Sequence, residues 1–179
     1  MPIYEFQGNV PRVDSTAFVH PLASLIGDVR VEAGCYIGPF ASIRGDFGTI
    51  VIGEGSNVQD NCSLHVGHGC RCDLAPASHV GHGAVVHGAT LKRNTLIGMN
   101  AVVMDGAVIG ESAIVAACAF VKSGWDVPPG CLVAGIPARV VRQLGREELR
   151  GKVEATRKYQ ELAFACLSTL REVAVGVGH

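Results

Sequence analysis

Aliphatic residues recur every six positions through most of this 179-residue chain. Val31, Ile37 and Ile43 keep the step, as do Ile52, Val58 and Leu64, then Leu74, Val80 and Val86. A longer series runs Leu91, Ile97, Val103, Ile109, Val115 and Val121. The residue that follows is often small or acidic, as at Glu32, Gly38, Gly98, Gly110 and Ala116. Six is even, so in a strand every sixth side chain returns to the same face. Glycine and polar residues nevertheless interrupt each run after a few positions. A short strand, a bend and another short strand satisfies both facts, and three such sides close a triangular coil of about eighteen residues. Stacked coils bury a column of aliphatics. The expectation is an all-β solenoid of about six or seven coils over roughly residues 12–135. A β-sandwich would instead alternate with period two and turn every 8–12 residues.

The beat slips at two places. From Leu64 to Leu74 is ten residues, which places a protruding loop at about 66–73, within HVGHGCRCD. From Val86 to Leu91 is five, a small register correction. After Pro137 the pattern changes. Residues 146–175 are rich in helix formers, and Tyr159, Leu162, Ala163, Cys166, Leu167, Leu170 and Val173 make the stripe of an amphipathic helix. The chain thus divides into a solenoid, 1–138, and a C-terminal α-helical extension, 139–179. The helix lies along the solenoid or on a partner subunit, and the closing VGVGH is expected to fray.

Net charge is −1 and no Lys/Arg-rich run stands out, which argues against a nucleic-acid partner. No stretch has the length and apolarity of a membrane span. The start, MPIYEFQGNVPRVD, lacks the basic and apolar regions of a signal peptide, so the chain reads as cytoplasmic. Seven cysteines, an odd number, fit reduced thiols. Cys35, Cys62 and Cys118 sit among small apolar residues and read as packing groups.

The histidines gain meaning from the beat. His65 follows Leu64 and His87 follows Val86, so both hold the same place relative to an inward aliphatic. They are 22 residues apart, one coil plus the four looped-out residues. His87 should therefore stack on His65 at about 4.8 Å, close enough for two imidazoles to share one ion. His82 lies almost a full side away and cannot join them in the same subunit. In a symmetric trimer the matching edge of a neighbour could bring it there. Three imidazoles with an open fourth position are the arrangement of a catalytic zinc, which lowers the pKa of water to near neutrality. Asn57, Gln59 and Asp60 stand in NVQDNC just before His65, and alternation puts Asn57, Gln59 and His65 on one side of their strands. Arg44 and Asp46, in RGD, lie one coil earlier and suit an inter-subunit clamp. His68, Cys70 and Cys72 make only a weak second metal pattern. His79 is placed at a corner, and His20 at the first coil.

The six-residue pattern resembles the left-handed parallel β-helix of hexapeptide-repeat proteins. The set Arg44-x-Asp46, Asn57-x-Gln59-Asp60, His65 and His82-x4-His87 resembles the signature of γ-class carbonic anhydrases. FVHPLASLIGDV, YIGPFASIRGDFG, LIGMNAVVMDGAVIGE, FVKSG and GIPAR extend the resemblance over nearly the whole chain, towards the PaaY- and CaiE-like branch. The resemblance implies a homotrimer binding Zn2+, or Fe2+ or Co2+, between subunits. His65 and His87 would come from one chain and His82 from its neighbour. It further implies that Gln59 hydrogen-bonds the water on the metal, that Asn57 lines the substrate pocket, and that Tyr159 reaches it. Arg44, Asp46 and Asp60 would serve the interface. The implied activity is hydrolysis of CoA thioesters in aromatic-acid catabolism. The alternatives are CO2 hydration, and a hexapeptide acyltransferase or non-catalytic assembly subunit. One departure bears on this choice: the loop after His65, VGHGCRCDLAPAS, lacks the glutamates with which the archetypal anhydrases relay protons.

Overall fold

Short parallel strands stack into three flat faces in the computed structural model, which describes residues 2–173. The first face carries Phe18–Val19, Tyr36–Ile37, Asn57–Val58, His79–Val80, Leu96–Ile97, Ile114–Val115 and Cys131–Gly135. The second carries Ser63–His65, Val85–His87, Val102–Val103 and Phe120–Val121, and the third Arg71–Leu74, Thr90–Leu91, Val108–Ile109 and Asp126–Val127. Two long strands, Ser24–Val31 and Ser42–Ile52, run across the corner between the second and third faces. The architecture is the left-handed parallel β-helix, about seven turns long, followed by a C-terminal helix.

The beat sets the core. On the first face Ile37, Val58, Val80, Ile97, Val115 and Val133 pair in register. Leu64, Val86, Val103 and Val121 do so on the second, and Leu74, Leu91, Ile109 and Val127 on the third. All of these side chains are buried in one continuous cluster. Corners turn through left-handed residues, among them Phe40, Asn61, Gly83, Asn100 and Cys118 along the corner between the first and second faces. Cys118, expected inside, is therefore exposed, whereas Cys35 and Cys62 are buried and donate to the Gly53 and Gly81 carbonyls of the next coil.

Small residues after the inward aliphatic let coils approach. A Cβ built on Gly98 would stand 2.4 Å from the Ala117 amide nitrogen and 2.7 Å from the Ala116 carbonyl carbon, both backbone atoms that cannot swing aside. Gly98→Ala is therefore expected to cost about 1–3 kcal/mol through overpacking. Urea unfolding checks this, and an unchanged midpoint would contradict it.

The beat slips a third time, unnoticed in the sequence. Ile43 and Ile52 are nine residues apart, because Asp46–Phe47–Gly48 is a second surplus at the same corner as the loop after His65. One coil at this corner therefore spans twenty-one residues rather than eighteen, and Arg44 pairs with His65. The protruding loop is also shorter than 66–73. Arg71–Leu74 is already a strand paired with Thr49–Ile52, which leaves 66–70 outside the ladder. The two surpluses pack on each other. Gly69 N–H donates to the Phe47 carbonyl (2.9 Å), and Thr49 N–H to the Cys70 carbonyl (3.2 Å). A Cβ at Gly48 would stand 2.1 Å from the Cys70 oxygen, so only glycine fits there.

Past residue 138 the sheet continues, because Ala138–Gln143 folds back antiparallel on Cys131–Gly135. The helix spans Arg146–Thr169, opened by a Glu148 carboxylate that accepts the Gly145 N–H and pairs with Arg142. Its buried stripe is Lys152, Thr156, Tyr159, Ala163 and Cys166 rather than the expected leucines. Leu162, Leu167 and Leu170 remain largely exposed. Lys152 docks the helix by donating to the Ala77 carbonyl and Asn94, and Gln160 by donating to the Gly55 carbonyl. Segment 174–179, which includes VGVGH, lies outside the described residues. No described helix is long and apolar enough to cross a membrane.

Candidate functional site

The sequence-predicted residues fall into two groups on opposite edges of the second face. At the corner with the third face, His65 and His87 are register partners on adjacent coils. His65 Nδ1 and His87 Nε2 face each other at 3.0 Å. The other nitrogen of each ring meets a carboxylate: His65 Nε2 donates to Asp46 Oδ1 (3.0 Å) and His87 Nδ1 to Asp105 Oδ1 (2.6 Å). Ionised carboxylates only accept, so each pairing places the ring proton on the nitrogen facing its carboxylate. In the neutral rings the two facing nitrogens are then both bare. Bare lone pairs at this distance repel, and a cation between them removes the repulsion. Two nitrogens bonded to one tetrahedral zinc-type ion stand about 3.3–3.4 Å apart, so the pair would need to open by only a few tenths of an ångström to hold one. Carboxylates behind histidines are the usual support of metal ligands.

Asp46 is the hinge of this group. Burial raises its carboxyl pKa, but hydrogen bonds from Arg44 and His65 and the Arg44 charge outweigh that and hold it below the usual carboxylate range. Its structural role is thus to orient His65 while Arg44 neutralises it. Phe47, from the second surplus, stands 5.5 Å from the His65 ring and stacks on His68 at 4.0 Å.

The second group lies on and beside the first face. Gln59 Nε2 donates to Asn57 Oδ1 (3.0 Å) and contacts His79 Nε2. The Tyr159 ring meets His79 edge-on at 5.2 Å and packs on Tyr36. At the corner between the first and second faces, His82 Nδ1 lies 3.0 Å from Asp60 Oδ2. Asn57 and Gln59 therefore do not share a side with His65. The corner at Asp60–Asn61 separates them, and alternation holds only within a strand. Among the described residues, no three His, Cys, Asp or Glu side chains of one chain converge to hold a metal.

Three residues of these groups escaped the sequence reading. Asp105 is eighteen residues after His87, one coil on, so the period alone could have found it. Phe47 lies in the overlooked surplus. His79, expected at a corner, sits in strand His79–Val80 opposite Asn57, with 8% exposure. Burial, then the charges of Lys152 and His82, push its pKa down to about 4. That value lies below the ordinary 6.5, so the folded state excludes a proton which the unfolded chain takes up. The linked stability is complete above pH 6.5 and is lost as pH falls towards 4, on the order of 3 kcal/mol in all. Urea midpoints at pH 7.5 and 4.5 should fall less in His79→Leu than in the parent; equal falls would contradict this.

Comparison with known proteins places these features in a family. The bacterial transferase hexapeptide family (six repeats) matches residues 88–123. The carnitine operon protein CaiE of Salmonella agona is 50% identical over 96% of this chain and 87% of its own length. CaiE of Escherichia coli is 49% identical over 96% of this chain and 88% of its own. Among solved structures, a Bacillus cereus protein carrying a provisional acetyltransferase label is 34% identical, with a TM-score of 0.89 over 90% of this chain and 94% of its own. A hexapeptide transferase family protein from Anaplasma phagocytophilum is also 34% identical, with a TM-score of 0.87 over 90% of this chain and 96% of its own. The period, the paired histidines and this whole-length likeness agree: the chain belongs to the CaiE-like branch of the γ-carbonic anhydrase-like hexapeptide-repeat family.

Proposed function

We propose that this chain forms a closed ring of three subunits whose shared metal centres hydrolyse CoA thioesters. The observation that carries the reading is the His65–His87 pair, whose bare nitrogens face each other while carboxylates hold the far side of each ring. His65 and His87 would hold the cation together with His82 of the partner subunit.

Where the half-sites lie supports the ring. His82 sits on the coil that ends at His87, on the opposite edge of the second face, at most about 16 Å away along the chain at 3.3 Å per residue. Equal height and opposite edges suit a head-to-tail ring whose axis runs along the solenoid. The surfaces that such a ring would cover are apolar. Leu22, Phe40 and Met99 lie exposed along the His82 corner, and Val85, Val102 and Phe120 form a half-buried stripe across the face between the edges. Phe40 holds this place with φ +59°, a conformation that bulky side chains rarely adopt.

When bound, a zinc-type cation supplies a water of lowered pKa and polarises a carbonyl. The chain's own residues do the rest. Asp46 and Asp105 fix the imidazole tautomers and Phe47 walls the site with an apolar ring, while Gln59, which lies on the same edge as His82, would enter the site with it from across the junction and offer its amide to the reacting oxygen. A thioester suits this set better than CO2. Fast CO2 hydration needs a relay carrying protons to buffer, and loop 66–70 holds no carboxylate. Thioester cleavage returns its proton to the departing thiolate. The ligand set taken alone favours CO2 hydration, which is the second reading. Acyl transfer by a histidine base needs a bare nitrogen aimed at an acceptor, whereas here the bare nitrogens face each other.

The deciding assay uses protein loaded with Zn2+, Fe2+ or Co2+, tested for thiol release from aromatic and aliphatic acyl-CoA esters and for CO2 hydration. Thiol release supports the proposal; rapid hydration without it selects the second reading. Asp105→Asn should weaken metal affinity roughly 10–100-fold, because the His87 tautomer loses its support. Competition with a chelator measures this, and an unchanged affinity would remove Asp105 from the site.

A further inference from the structure

We propose that His79 is a positioning residue that fixes the Gln59 amide, so that Gln59 presents its oxygen rather than its nitrogen to the reacting centre. The inference rests on the reading of Gln59 as part of the site. His79 and Asn57 are register partners on adjacent coils, and Gln59 is two residues beyond Asn57 on the same face. The Gln59 amide nitrogen has two protons. One goes to Asn57 Oδ1, and the other is directed at His79 Nε2. Both donors are then consumed inside the protein, and the amide oxygen is left as the free end.

For Nε2 to accept, His79 must be neutral and carry its proton on Nδ1. The surroundings favour the neutral form. The ring is buried under the C-terminal helix, edge-on to Tyr159, and Lys152 is the cation acting on it from that helix. No carboxylate pairs with either ring nitrogen among the described residues, in contrast with His65, His82 and His87. The arrangement carries a penalty. His79 Nδ1 and Asn57 Nδ2 are buried donors without a hydrogen-bond partner among the described residues. An unpaired buried donor is destabilising, and an apolar residue of similar volume would avoid it. Packing alone therefore does not account for an imidazole here, whereas an acceptor for the second Gln59 proton does. A leucine at 79 would leave that proton unpaired and free the amide to turn over.

The test uses the full chain and two substitutions, His79→Leu, which removes the acceptor, and His79→Gln, whose side-chain oxygen restores one. Selective 15N labelling reads the hydrogen bond without reference to activity. In 15N-histidine protein at pH 7, His79 should show an unprotonated Nε2 and a protonated Nδ1; a protonated Nε2 overturns the proposal. In 15N-glutamine protein, the Gln59 amide protons should exchange with water at least tenfold more slowly than those of the exposed Gln7 and Gln143. His79→Leu should abolish most of that protection and His79→Gln restore it. Protection unchanged in His79→Leu also overturns the proposal. In the loaded enzyme His79→Leu should lower kcat about tenfold or more with KM and metal affinity within threefold of the parent, and His79→Gln should recover much of the loss. A kcat within twofold of the parent in His79→Leu sinks the positioning role. If the parent turns over neither a thioester nor CO2, the function fails, while the two labelling experiments still decide the geometry.

Discussion

Replacing His87 by alanine is expected to release the metal and end hydrolysis together, while the apo fold stays intact. The side chain sits at the end of a second-face strand, outside the aliphatic column that holds the coils. Its removal takes no volume from the core, so no cavity penalty arises there. It also relieves His65 Nδ1 of a bare nitrogen at 3.0 Å, and the apo variant should unfold at the parent's midpoint or slightly above it. Metal binding behaves oppositely. Loss of a carboxylate behind a ligand already weakens affinity roughly 10–100-fold, and loss of the ligand itself should exceed that range. A ligand that binds only the folded state raises its stability by mass action. Zinc should therefore raise the parent's melting temperature and leave that of His87→Ala where it was. Elemental analysis after dialysis, together with thiol release, reads the other two effects. Retention of the metal at parental affinity would place the ion elsewhere.

How much of this the sequence disclosed depends on whether a residue obeys the six-residue rule. His65 and His87 were legible because a four-residue surplus converts their separation into one coil, and the fold follows from the same count. Asp105 obeys the rule as well, yet is silent until His87 is known to have a nitrogen in need of an acceptor. The surplus at Asp46–Gly48 is hidden because Ile43 and Ile52 each begin or end a well-kept run. Only pairing shows that Arg44 lies against His65. Extending strand alternation through Asp60–Asn61 puts Asn57 and Gln59 beside His65. That turn redirects the chain to a new face, and sequence parity carries no information across it. The helix misled for a different reason. Its docking face uses Lys152, held by the Thr156 hydroxyl, and Gln160 to satisfy the Ala77 and Gly55 carbonyls and the Asn94 amide, whereas apolar periodicity points to leucines that the single chain leaves exposed. His79 reads as one more corner histidine until that helix is seen lying over it.

Mixing two inactive variants should restore activity, because each site is shared between neighbouring subunits. His82→Ala keeps the paired histidines but lends nothing to its neighbour; His87→Ala does the reverse. In a head-to-tail ring of three, each site takes His82 from one subunit and the pair from the next. Any mixed ring, whichever variant is in the majority, then contains one junction at which both contributions are intact. Three quarters of randomly assembled rings are mixed and each holds one good site of three, so an equimolar mixture unfolded and refolded together should recover about a quarter of parental activity and metal content. The variants refolded separately and then combined should recover almost nothing until subunits exchange. The recovered fraction separates a site shared between subunits from one built within a single chain. A site built within one chain gives no recovery at any mixing ratio. A two-fold dimer with both sites at one interface gives one good site of two in half of the dimers, again a quarter at equal mixing. Mass tells these apart, since the ring's activity should travel at the mass of three chains. The dependence of recovery on mixing ratio is the same for both, but the composition of the restored species differs. With one variant at nine-tenths, about 27% of rings are mixed against about 18% of dimers, so recovery per site is about 9% in both cases, but the restored species is a ring with two spare sites rather than one. Titrating zinc into the purified mixed species should therefore fill one site per three chains, and a stoichiometry of one per two would replace the ring with a pair.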